Sequence, residues 1–167
     1  MGGRQVPAHP LTVSQPRLFR AAIALLALPS AVIAAWTLVA PGSFYDDFPG
    51  AGRHWVAALP PYNEHLLRDF GAASLAIVIF LAAAAIFLER RLVQVALIAF
   101  IAYSIPHFAY HLTTTSHYSS GDNVASLGGF VLQLVLALVL LALSRAAVPA
   151  SAAPAAAAPS PSRSSRS

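Results

Sequence analysis

The chain contains no cysteine and no lysine. Without cysteine there is no disulfide, no thiolate metal site and no thiol nucleophile, and composition says nothing about redox compartment. Charge is also scarce: Asp, Glu, Lys and Arg supply 10% of the 167 residues, against about 25% in an ordinary soluble domain. That scarcity argues against a water-soluble fold. The net charge of +4 does not point to nucleic acid either, because the ten arginines are scattered between apolar blocks instead of forming a patch.

Apolar residues fill the space, at 57% of the chain. They gather into four runs, 21–40, 70–88, 92–110 and 124–143, none of which contains Asp, Glu, Lys or Arg. Each run is close to the roughly 20 helical residues that cross a hydrocarbon core. Lipid offers no partner to backbone amides, and the runs lack period-two alternation, so helices are expected and barrel strands are not. The first run also invites comparison with a signal peptide, with Val32 and Ala34 as a weak cleavage site, but it exceeds the usual apolar stretch of about 7 to 15 residues. The fold class predicted is all-α: a four-helix transmembrane bundle over 18–145, flanked by disordered tails, 1–17 and the Ala/Pro/Ser-rich 146–167.

Orientation follows from the arginines. Arg4, Arg17, Arg20, Arg90, Arg91, Arg145, Arg163 and Arg166 fall on one side of a four-span layout, with only Arg53 and Arg68 opposite. The positive-inside rule therefore puts both termini in the cytoplasm. A multi-pass protein of the cytoplasmic membrane is expected, and the arginine-only, alanine-heavy usage suggests a bacterial source. The "ERR" turn is short enough to make the second and third helices antiparallel neighbours, whereas 41–69 forms a long outer segment whose aromatics suit a membrane boundary. In "PPYNEHLL", Asn63 is expected to cap the second helix, and Glu64 and Arg68 stand four apart on it. Asp122 or Asn123 is expected to cap the fourth.

Small residues at helical spacing, Ala27, Ala31 and Ala35 on the first helix and Ala125 and Gly129 on the fourth, mark candidate close contacts. Gln133 lies mid-span and is expected to face the bundle and hydrogen-bond between helices. Pro29 and Pro106 each remove a backbone donor inside a span.

Chemistry concentrates on the outer side, which holds five of the six histidines and five of the six acidic residues. His107 and His111 are four apart and share a helical face, which Tyr103 extends by one turn. His65 and Asp69 repeat the spacing on the second helix, and matching depths across a turn at residue 90 brings Asp69 level with His111. The predicted polar cluster is therefore His65, Asp69, Tyr103, His107 and His111. A metal needs three or four converging ligands, and His107, His111, Asp69 and His65 are the candidate set. The H-x-x-x-H spacing lacks the glutamate of a hydrolase signature, and a membrane desaturase needs several histidine boxes on the cytoplasmic side. Haem between His65 and His107 is a further option. The plain alternative is a hydrogen-bonded interfacial cluster with no ligand. His54 and His117 fall in loops and read as solvated.

The string "LPPYNEHLLRDFGAASLA", followed about 35 residues later by "IPHFAYHL", resembles a family of uncharacterised bacterial four-helix integral membrane proteins. The likeness covers roughly residues 40 to 145. In topology alone the layout is also similar to the DoxX-like group, some of whose members are membrane subunits of quinone-linked oxidoreductases. The resemblance implies the fold and assigns no catalytic residue and no cofactor. The expectation is a binding or accessory membrane protein whose outer cluster meets a small ligand or a partner membrane subunit. The alternative is a membrane component of a quinone-, haem- or metal-dependent oxidoreductase.

Overall fold

A computed structural model describes residues 16–148. The expectations for residues 1–15 and 149–167, with Arg4, His9, Arg163 and Arg166, lie outside the described residues. Four long helices dominate: α1 (Pro16–Val39), α3 (Glu64–Phe87), α4 (Arg90–Thr113) and α5 (Ser120–Ala147). Each is long and apolar enough to cross a membrane. Large apolar side chains stand exposed on every one of them, among them Leu25, Val32, Ile79, Phe87, Ile98, Ile105, Leu132 and Leu138. An exposed apolar surface on all four helices is what a lipid-facing bundle requires.

The helices run longer than the apolar runs because polar first turns are also helical. Pro16, with its fixed φ, opens α1, so Pro16 and Arg17 belong to the helix and not to a tail. Asn63 caps α3 by accepting from the Leu66 amide at 3.0 Å, as expected. The cap of α5 is Ser119, whose Oγ accepts from the Asp122 amide at 3.1 Å; Asn123 instead donates to the Thr115 carbonyl at 2.9 Å. Between α3 and α4 the turn is tight, with Leu88 in the left-handed region at φ 50° and its side chain in the core.

Around the bundle, α1 packs on α3, α3 on α4, α4 on α5, and α5 back on α1, with α1 against α3 the most extensive contact. That contact depends on Gly71. A Cβ there would run into the Thr37 side chain, whose hydroxyl donates to the Ile33 carbonyl at 2.7 Å. Of the predicted ladder, Ala27 packs against the core, but Ala35 is exposed, and farther along α1 the buried positions are Ala34 and Thr37. Arg68 adds a tether: it bonds Glu64 at 2.8 Å and donates to the Leu38 carbonyl at 2.7 Å.

The segment joining α1 to α3 contains a short helix, α2 (Pro41–Asp47), and a two-residue hairpin, β1 (Pro49–Gly50) with β2 (Arg53–His54). Positive φ at Gly50, Ala51 and Gly52 makes the reversal, which suits glycine at two of the three positions. Among the described residues this small hairpin is the only β structure.

The core is one-sided. Phe19, Ile23 and Leu26 of α1, Leu81 and Ala84 of α3, Val93, Leu97 and Phe100 of α4, and Ala137 and Leu140 of α5 form a continuous buried cluster. All belong to the half of the bundle nearest the α3–α4 turn. Gln94 and Ser144 bond at 3.1 Å within that half. The opposite half, beneath the α2 and hairpin segment, is hollow.

Candidate functional site

The hollow half contains a partly open cavity of about 590 Å³, within the range typical of small-molecule sites. All four long helices line it. Ile33 comes from α1, Phe70 and Ser74 from α3, Tyr103, His107 and His111 from α4, and Gly129, Phe130 and Gln133 from α5. Phe48, Trp55, Val56 and Leu59 of the connecting segment face it from above. The walls are mainly apolar and aromatic.

His107 and His111 form the most distinctive polar feature of the wall. Their i,i+4 spacing in α4 stacks the rings with centroids 4.9 Å apart, and the two Nε2 atoms hydrogen-bond at 3.0 Å. A nitrogen that accepts needs its lone pair, so one ring donates, the other accepts, and at least one is neutral. Phe130 packs at 5.0 Å from both rings. Phe70 meets His107 edge-on at 5.6 Å. Tyr103, one turn deeper, bonds Ser74 at 3.1 Å.

The predicted cluster divides into two. Tyr103, His107 and His111 line the cavity together, as their spacing requires, whereas His65 and Asp69 do not line it. Those two pair with each other at 3.3 Å on the outside of α3, 87% and 64% exposed. Among the described residues no group of three or more His, Asp or Glu side chains is placed to hold a metal ion. The four-ligand set is therefore not assembled, and His65, exposed on α3 away from the cavity, is not brought opposite His107. The reason is azimuth, since Phe70 occupies the inward position next to Asp69. Gln133 faces the bundle as expected, but it lines the cavity, and the interhelical amide bond is made by Gln94. Ala125 and Gly129 likewise leave room for the cavity instead of packing a helix.

Above the cavity a latch joins distant parts of the chain. Asp122 accepts from Trp55 Nε1 at 2.8 Å and from Ser119 Oγ at 2.6 Å, and pairs with Arg53 at 3.2 Å. Tyr118 donates to the Trp55 carbonyl at 2.9 Å. Burial, and after it the neighbouring Tyr110, pushes the Tyr118 hydroxyl above its ordinary pKa, so it keeps its proton for that bond. Spacing gives no hint of the latch, because 67 residues separate Trp55 from Asp122. The two histidines expected in loops are exposed, His54 in β2 and His117 in a short 3-10 turn, and bond to backbone carbonyls, His54 to that of Asp46 and His117 to that of Thr114.

No protein-family model, curated protein or solved structure matches the chain.

Proposed function

We propose that this is a multi-pass protein of the cytoplasmic membrane, with both termini cytoplasmic, that binds a small, mainly apolar molecule in its hollow half. The observation that carries this reading is the 590 Å³ cavity built from all four spans, with a hydrogen-bonded imidazole pair in a mainly apolar wall. A bundle with no ligand to hold gains by filling such a space with side chains. This one instead places Ala125 and Gly129 on the cavity wall. The second reading is a redox component of quinone type, favoured by the hydrogen bond between His107 and His111 on the cavity wall.

Gly129 offers the test. A Cβ there meets nothing within 4 Å, so Gly129→Leu should fill the cavity without disturbing the helices, and removing a helix-interior glycine should stabilise α5 by up to about 1 kcal/mol. Native mass spectrometry of protein purified from its own membranes should show a small molecule bound to the wild type and lost from Gly129→Leu at equal or higher melting temperature. A wild type with no bound mass, or equal retention by the variant, would overturn the reading. A quinone mass would select the redox role.

A further inference from the structure

Polar groups line the cavity at successive depths: the imidazole pair near the mouth, the hydroxyls of Tyr103 and Ser74, bonded to each other, below it, and Gln133 deeper still. Gln133 lies thirteen residues into α5 from Ser120, and Phe100 lies thirteen before Thr113 in α4. Both line the cavity, so they mark one level near the middle of the spans. The imidazole pair is closer to the mouth. Seven residues of α4 separate Phe100 from His107, about 10 Å at 1.5 Å per residue. Along that distance the hydroxyls of Tyr103 and Ser74 are bonded to each other.

Gln133 lines the cavity and makes no side-chain hydrogen bond among the described residues, and since no buried polar side-chain atom there goes unpaired, its amide is not sealed away from an occupant. Gln94, the glutamine near the start of α4, is matched to Ser144. A primary amide at hydrocarbon depth is costly until something bonds to it. The cavity wall carries no Arg, Lys, Asp or Glu, so no fixed charge is present to offset a charged ligand at that depth.

We propose that the cavity takes an uncharged lipid alcohol or ketone whose hydroxyl or carbonyl bonds Gln133 at mid-membrane depth, its chain running past His107 and His111 toward Trp55. This rests on the cavity being a binding site, and it adds polarity, charge and direction to that reading. The polar end points inward, opposite to a membrane phospholipid. The amide offers both a donor and an acceptor, so a hydroxyl satisfies it twice and a carbonyl once.

Three probes with one chain separate the possibilities: 1-hexadecanol, hexadecyl sulfate and hexadecane. Scintillation proximity binding of tritiated 1-hexadecanol to the purified full chain in a neutral detergent should saturate. Gln133→Leu should bind about tenfold more weakly, while Gln94→Leu, which alters the matched amide away from the cavity, should bind as the wild type does. Unlabelled hexadecane and hexadecyl sulfate should compete at least tenfold less well than 1-hexadecanol. Wild-type affinity in a Gln133→Leu protein with an unchanged melting temperature would overturn the inference, as would hexadecane competing equally. Either result would leave the binding site itself standing. Hexadecyl sulfate as the best competitor would overturn the uncharged ligand. Absence of saturable binding by any probe, with no molecule retained from native membranes, would remove the binding site as well.

Discussion

Phe70 occupies the place that depth matching gives to Asp69. The depth is close, for Phe70 pairs with His107 and Ser74 with Tyr103 in one register across the turn. What the sequence hides is azimuth, because α3 is apolar on nearly every side after its first turns and no polar stripe marks the lipid face. The spacing of His107 and His111 is legible for the opposite reason, since a single helix fixes the relation. Asp69 should therefore act independently of the cavity. Asp69→Asn, which alters an exposed i,i+4 pair, should cost less than about 0.5 kcal/mol. Combined with His107→Phe it should add to within about 0.5 kcal/mol in a thermal or denaturant melt. A larger coupling would restore the single cluster read from the sequence.

Among the elements, α1 and α3 approach most closely, and one glycine decides how closely. Gly71→Ala places a methyl against the buried Thr37 side chain and should destabilise the bundle by about 1 to 3 kcal/mol. Gly128→Ala, on α5 with nothing within 4 Å, should be neutral or stabilise by up to about 1 kcal/mol. Melting temperatures of the two variants moving in the same direction would contradict the close contact. The alanine ladders mark the contacts only in part, with Ala27 on the core and Ala35 exposed, because alanine abounds in this chain. A sharper one was available in small residues three apart on two helices, Ala34 with Thr37 and Gly71 with Ser74. The four spans are legible because hydropathy alone specifies them. Helix α2 and the hairpin are not, since their contacts, such as Phe44 with Phe48 at 4.7 Å, join residues that carry no periodic pattern.

For the molecule as a whole, charge asymmetry and packing asymmetry coincide. The end bearing the α3–α4 turn, with Arg90 and Arg91, is the solid end, and the end bearing Arg53 and Asp122 is the hollow one. Reporter fusions should place both termini in the cytoplasm and an insertion near Ser119 outside, so that the cavity opens away from the cytoplasm; an external C-terminus would reverse the orientation. The one-sided core also implies that resistance to local opening is graded along the membrane normal. Amides of α4 from Val93 to Phe100 sit against buried neighbours on three helices, while those beyond Ser104 border empty space. Hydrogen–deuterium exchange should therefore be slow in the first half of α4 and faster in the second, within one uninterrupted helix. An occupant of the cavity would flatten that gradient, making the exchange profile of a single helix a report on whether the protein is loaded.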